Sequence, residues 1–391
     1  MKSEWQACTI GELCDSISVT YRREDERVVL VNTSDVLNGK VLNHTDEPNQ
    51  NLKGQFKKTF KKNDILYSEI RPANRRFAYI DFDETEKYIA STKLMVIRYR
   101  ENVVEPKFLY FLLTSNDVIG ELQRLAETRS GTFPQITFPA EVATLPVNLP
   151  PLPIQRKIAT ILSALDDKIE TNNAICRNLE EQMESLFEKL FVREMNSEWK
   201  KGTISDLGKV IGGGTPSKKE PSYYTNNGIA WITPKDLSRC ASKFVRKGEI
   251  DITRKGLEAS STTIMPEGTI LFSSRAPIGY IAIAGGDVST NQGFKSVVPY
   301  GCIGTPYVYY FLKHSTPVIE NLASGSTFPE ISASAMKQLP VVIPDAATLD
   351  NFNAFCEPRL NIQREKEGEI SRLMELRDVL LPKLMNGEFN L

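Results

Sequence analysis

The 391-residue sequence predicts an α+β chain built twice on one plan, as two similar globular domains that are each followed by a long helix. Three observations carry this reading: anchors that recur at a constant offset, short β-rich runs around one amphipathic helix in each half, and a heptad seam of more than four repeats. At roughly 100–200 residues per domain the length suits two or three domains with real cores.

The repeat comes first. SEWQACTIGEL at 3–13 returns as SEWKKGTISDL at 197–207, so that Trp5, Thr9 and Ile10 match Trp199, Thr203 and Ile204 at an offset of 194. The offset holds late in each half, where Leu145-Pro146-Val147 matches Leu339-Pro340-Val341, and Leu179, Leu186 and Leu190 match Leu373, Leu380 and Leu384. Between these anchors the copies drift. NDILYSEIRP at 63–72 parallels GTILFSSRAP at 268–277 at an offset of 205, and SGTFPQI at 130–136 parallels GSTFPEI at 325–331 at 195. A constant frame with a variable middle marks a duplicated scaffold that carries two diverged surfaces.

Strands are expected at Arg27–Asn32, Asp64–Ser68 and Leu94–Tyr99 in the first half. Ile229–Thr233, Thr269–Ser273 and Ile278–Ile283 are expected in the second. Each half holds a helical stretch, near 106–125 and 306–323. Each closes on a proline-flanked apolar strand, LPVNLPPLP and LPVVIPDAA, before its long helix. In the first long helix Ile158, Leu162, Leu165, Ile169, Asn172, Cys176, Leu179, Met183, Leu186 and Leu190 step by alternating fours and threes. Such a stripe needs a long partner. The second copy supplies Phe352, Ile370, Leu373, Leu380 and Leu384, with Arg359, Gln363 and Lys366 making its middle polar. Asn172 within the seam fits a register device. From Ile158 to Leu190 the helix spans about 50 Å, roughly one and a half turns of B-DNA.

The net charge is −1, which argues against blanket adhesion to nucleic acid. By segment, residues 199–342 carry +6, residues 1–147 carry −1, and the helical segments 148–198 and 343–391 carry −3 each. Local clusters, Lys57-Lys58 with Lys61-Lys62 and Arg71 with Arg75-Arg76, read either as solvated surface or as phosphate and base contacts.

Several classes are excluded or disfavoured. No run reaches ~18 apolar residues, the length of a membrane span, and MKSEWQACTI lacks a signal-peptide core, so a cytoplasmic protein is expected. The six cysteines form no C-x-x-C pair, and the two histidines, His44 and His314, stand far apart. No metal site or histidine-based catalytic site is therefore expected. IGGGTPSKKE at 211–220 is not a P-loop, and no amino-methyltransferase tetrapeptide or two-metal acidic set occurs. The chain is expected to have no catalytic residues.

Four stretches resemble the specificity (S) subunit of type I restriction–modification systems. They are IGGGTPSKKEPSYYTNNGIAWITPKDL (211–237), ILFSSRAPIGYIAIAGGDVSTNQGFKSV (270–297), LPPLPIQRKIATILSALDDKIETNNAICRNLEEQMESLFEKLF (149–191) and ELRDVLLPKLMNGEF (375–389). The resemblance implies target-recognition domains at 1–147 and 199–342, and spacer helices at 148–198 and 343–391. These helices would pack as an antiparallel coiled coil about a pseudo-two-fold axis. It further implies that each domain reads one half of a bipartite double-stranded DNA site while the helices set the gap. Two modification (M) subunits, which carry S-adenosylmethionine, and motor/nuclease (R) subunits would dock on the chain, which itself holds no cofactor. Two positions depart from the pattern: Ile154 replaces an acidic residue before Gln155-Arg156-Lys157-Ile158, and ATLDNFNAF (347–355) stands where a second such entry is expected.

The candidate DNA contacts are Arg71, Arg75 and Arg76 after the first ILYSEIRP strand, with Arg275 in the like place in ILFSSRAP. Lys218, Lys219, Tyr223 and Tyr224 follow the glycine turn, and Asn291 and Gln292 carry amides suited to adenine. For each, the competing reading is a structural turn residue or an ion-pair partner, and Arg275 is the favoured DNA contact. The recurrence of SGTFPQI and GSTFPEI favours a structural or M-docking role. Three other readings stay open: a coiled-coil scaffold for protein partners, an enzyme of unrecognised class, and a silent specificity cassette.

Overall fold

A computed structural model describes residues 5–23, 25–50, 54–129, 133–240, 242–275, 277–323 and 329–389. The first residues of SGTFPQI (130–132) and GSTFPEI (325–328) therefore lie outside the described residues. So does Ala276.

Each half closes in the same register. Strand Gln6–Thr9 runs antiparallel to Pro146–Leu149, and Lys200–Thr203 to Pro340–Ile343, with Thr9 opposite Pro146 and Thr203 opposite Pro340. Both prolines open their strands, where a missing N–H is tolerated. A one-turn helix follows each strand, Ile10–Leu13 and Ile204–Leu207. Reciprocal capping starts both helices: the Glu12 carboxylate accepts from the Thr9 amide at 2.6 Å and that of Asp206 from the Thr203 amide at 2.8 Å.

The main sheets also match. In the first half, Cys14–Ile17, Leu94–Tyr99, Ile65–Ser68 and Phe77–Tyr79 pair antiparallel in that order. In the second, Gly208–Gly212, Lys295–Pro299, Ile270–Ser274 and Ile278–Ala284 repeat the order, and Phe244–Val245 adds a parallel fifth strand. A parallel pairing recurs beside each sheet: Arg27–Val31 with Tyr88–Ser91, and Trp231–Ile232 with Ser289–Thr290. Period-2 alternation explains why these sheets are buried on both faces. Ile65, Tyr67, Met95 and Ile97 face a helical layer, while Leu66, Leu94 and Val96 face the smaller sheet. In the second half Ile270 and Phe272 take the helical side and Leu271 and Phe294 the other.

The helical stretch of the first half divides into Pro106–Leu113 and Asn116–Arg129. The break falls at Thr114 and Ser115, whose hydroxyls bond back to the carbonyls of Tyr110 and Leu112 at 2.8 Å. Its counterpart, Thr305–Asn321, runs on through Pro317.

The long helices span Leu152–Glu188 and Ala346–Met385. The chain divides into two compact units, Met1–Ile169 with Arg372–Leu391, and Glu170–Ser371, so each unit holds one globular domain and a section of both helices. Within each unit those sections run antiparallel. In the first, Ile158 and Leu162 share a core with Leu384, Leu380 packs against it, and Asp166 meets Arg377 at 3.0 Å. In the second, the Cys176 thiol faces the Gln363 carbonyl oxygen and Gln182 accepts from Arg359 at 3.1 Å.

The seam is buried unevenly along its length. Ile158, Leu162 and Met183 are fully buried, and Leu179, Leu186 and Leu190 pack on the second unit's core. Leu165, Ile169, Ile370 and Leu373 are only half-buried. Past Glu188 the helix widens into a π-type turn over Lys189–Arg193. Phe187 and Phe191, which lie off the heptad positions, carry the burial there against Tyr307 and Phe352. Asn172 is wholly buried with no side-chain partner among the described residues.

The second unit contains a buried charge network. Glu180 on the first long helix accepts from Lys243 and, at 2.8 and 3.0 Å, from Lys313 and the Tyr310 hydroxyl. Burial opposes the Glu180 charge, but the two ammonium groups outweigh it and hold its pKa below the ordinary carboxylate range. Burial pushes the Lys243 ammonium down, against the pull of Glu180. Among the described residues no helix is long and apolar enough to cross a membrane.

Candidate nucleic-acid interface

In the second unit the glycine turn is built by close backbone approach. A Cβ on Gly213 would fall 1.9 Å from the Asn291 carbonyl oxygen, so only glycine fits. The Gly214 amide donates to Thr290 at 2.9 Å, and its carbonyl accepts from the Trp231 indole at 3.0 Å. The chain then folds back: the Tyr224 hydroxyl donates to the Pro216 carbonyl at 2.6 Å, with its ring edge-on to Trp231. Burial raises the Tyr224 phenol, which keeps it a donor. Lys218 and Lys219 are exposed on the loop so formed, and Tyr223 is tied in by its carbonyl, which accepts from Thr253 at 2.9 Å.

Asn291 and Gln292 meet this loop. The Asn291 side-chain oxygen accepts from the Gly293 amide at 2.9 Å, and Gln292 bonds the Thr215 hydroxyl. Both amides therefore already have an oxygen engaged, and among the described residues their N–H groups are what remain for a partner. The Ser274 amide donates to Gly293 at 2.8 Å, which brings Arg275 to the same group of segments. The structure thus assembles Lys218, Lys219, Tyr224, Asn291, Gln292 and Arg275 from three sequence-distant stretches.

In the first unit the three arginines diverge. Arg71 and Arg75 both hold left-handed backbone, at φ 44° and 53°, a strained state for a side chain with Cβ that tends to mark functional turns. The Arg71 side chain is exposed, while its amide is fixed to the Pro134 carbonyl at 3.1 Å. Arg75 bonds Asn116 inside a cleft of about 410 Å³ that Tyr110, Asp166 and Arg377 also line. The Arg76 guanidinium donates to the Ser34 carbonyl at 2.9 Å, which ties together segments 42 residues apart.

One sequence expectation shifts by a residue. Ile70 bridges Gln135 where Arg275 bridges Glu330, and the amides of Ile136 and Ile331 donate to Glu69 and Ser274 at 2.9 and 3.1 Å. Arg275 therefore occupies the register of Ile70, not of Arg71. The same bridges give the ends of SGTFPQI and GSTFPEI a structural task in both units. Glu330, Lys295, Thr215 and Trp231 were not legible as site residues, since each meets its partner only across folded segments.

Gln155, at the head of the first long helix, is buried. Its side chain accepts from the Glu105 amide and donates to the Pro150 carbonyl, both at 2.8 Å, while Arg156 and Lys157 stay exposed. In the second unit the matching Leu349 is buried, and Asn353 does the tying by donating to the Ile303 carbonyl at 2.9 Å. Among the described residues no group of three or more His, Cys, Asp or Glu is placed to hold a metal ion.

Comparison with known proteins agrees with this duplicated plan. The family model for the type I restriction modification DNA specificity domain matches twice, over residues 2–181 and 196–356. The HindI type I restriction enzyme specificity subunit of Haemophilus influenzae is 30% identical, over 99% of this chain and 100% of its own. The MjaIX specificity subunit of Methanocaldococcus jannaschii is 39% identical over 48% of this chain and 44% of its own. The crystal structure of a type I restriction–modification S subunit from M. genitalium shares the fold at a TM-score of 0.62, with 16% identity, over 97% of this chain and 96% of that one. The chain belongs to the type I restriction–modification specificity-subunit family, whose members recognise DNA for a partner enzyme and are not themselves enzymes.

Proposed function

We propose that this chain reads an asymmetric bipartite site on double-stranded DNA, one globular domain per half-site, while the paired long helices set the unread gap. It recruits two M subunits, which carry S-adenosylmethionine and methylate adenine, and R subunits for restriction, in the cytoplasm where the DNA lies. The observation that supports this best is the register-matched frame of the two halves, Thr9 opposite Pro146 and Thr203 opposite Pro340, around diverged loops. A frame that recurs while its basic and amide side chains differ suits two readers of different short sequences. The contacts proposed are Lys218, Lys219, Tyr223, Tyr224, Arg275, Asn291 and Gln292 for one half-site. Arg71 and Arg75 serve the other, and Arg76 acts there mainly through its tie to the Ser34 carbonyl.

The test is single-molecule mapping of adenine methylation in a host that expresses the M subunit, with and without this chain. One new motif of two short blocks around a fixed gap is expected. No new motif, with soluble chain that co-purifies with M, means a silent cassette. No motif and no binding to M overturns the reading in favour of a protein-binding scaffold. Deleting one heptad within 165–186 is expected to change or abolish recognition at the old gap and leave both half-site sequences intact; new half-sites at the old gap would count against the ruler.

A further inference from the structure

We infer that Glu330 is a positioning residue for specificity, which aims Arg275 at one base pair of the second unit's half-site; this rests on the reading of that unit as a DNA-reading domain. The Glu330 carboxylate stands between two cations, with one oxygen 3.4 Å from the Arg275 guanidinium and the other 3.3 Å from the Lys295 ammonium. Lys295 also donates to the Ser274 hydroxyl at 3.3 Å, and its side chain is only 11% exposed, so its charge is committed inward. Arg275 is different. Its side chain is 36% exposed, and the pair with Glu330 engages Nη1 alone. Among the described residues no other partner takes its remaining guanidinium N–H groups, which form the planar fork that matches paired acceptors on a guanine edge or a phosphate.

The backbone fixes the pivot. Arg275 and Glu330 are bridged as a β pair, the Ile331 amide donates to Ser274, and Ser274 donates to Gly293 next to Asn291 and Gln292. Every segment that carries an amide or arginine candidate in this unit therefore leans on the strand position that Glu330 occupies. The first unit has Ile70 and Gln135 at the same two positions, with neither a guanidinium nor a counter-charge. The ion pair belongs to what differs between the two readers, not to the shared frame. The glutamine also shows that this frame accommodates an uncharged amide at the Glu330 position.

The experiment uses the full chain co-expressed with its M subunit and compares methylation motifs for wild type, Arg275→Ala, Glu330→Gln, Glu330→Asp and the Arg275→Ala/Glu330→Gln pair. Arg275→Ala is expected to reduce discrimination at one position of one half-site by about tenfold, within the range of a bidentate base contact. Glu330→Gln is expected to relax that same position. The double variant should be no worse than Arg275→Ala, and Glu330→Asp should restore part of the preference. The other half-site and the gap stay unchanged and serve as the internal control for folding. Uniform weakening across all sites, the signature of a phosphate contact, would overturn the inference, as would relaxation at two different positions or an unchanged motif in Glu330→Gln. If wild type itself writes no bipartite motif, the reading of the domain fails instead.

Discussion

The two units share their closure strands residue for residue and the order of four main strands, and differ in how each secures its globular domain beside the long helices. In the second, Glu180 gathers Lys243, Lys313 and the Tyr310 hydroxyl into one buried network, so helix and domain are joined by charge. In the first, the position 194 residues later is Met374, 43% exposed, and the ion pair of that region, Asp166 with Arg377, joins helix to helix. The same contrast runs through the heads of the helices, where buried Gln155 bonds the chain in one unit and Leu349 with Asn353 divide that work in the other. Duplication preserved backbone register and left the polar fastening free to be reinvented, because many side-chain sets satisfy the same backbone groups.

The comparison breaks first at Glu180. Glu180→Ala leaves the Lys243 ammonium buried without its counter-charge and is expected to destabilise the second unit by about 3–5 kcal/mol, read from denaturant unfolding. Next comes Leu162→Ala, which opens a cavity between helix and domain in the first unit and is expected to cost about 2–5 kcal/mol. Cys356→Ala, at the matching position, removes a smaller group and is expected to cost less. Gln155→Leu strands the Glu105 amide and the Pro150 carbonyl, for an expected loss of about 1–3 kcal/mol. A fall that small in Glu180→Ala, or no fall in Gln155→Leu, would erase the distinction between the two fastenings.

Acid sharpens the contrast. Because the Glu180 pKa is held below its unfolded value, its stabilisation is present above the ordinary carboxylate range and is lost as pH falls through the lowered pKa. Melting temperatures between pH 7 and about pH 3.5 are expected to fall less steeply for Glu180→Gln than for wild type. Met374→Ala, at the exposed counterpart, is expected to change stability by no more than about 0.5 kcal/mol.

Much of this was legible in the chain. The constant offset marked the duplicated closure strands, a short β-rich run marked Ile65–Ser68, and the alternating four-three spacing located Ile158, Leu162 and Met183 in cores. The aromatic anchor Phe187 escaped because it sits one position beyond the seam residue Leu186, and Phe191 because the helix departs from 3.6-residue periodicity over Lys189–Arg193, where a heptad template no longer tracks the buried face. The site was harder to read. Arg76 looks in sequence like a neighbour equal to Arg71, yet the Ser34 carbonyl engages it, and that contact spans 42 residues of loop and strand. The Arg275–Glu330 pair was hidden because two aligned motifs sit at different offsets, and only strand pairing shows which residue faces which.

The closure strands have a consequence for heredity. Gln6–Thr9 against Pro146–Leu149, and Lys200–Thr203 against Pro340–Ile343, set the entrance and exit of each domain side by side. Whatever lies between can be exchanged for another insert without moving either junction, provided the four paired residues at each end keep their register. A crossover between two such genes at these short anchors would join a new insert to the old closure strands in one step.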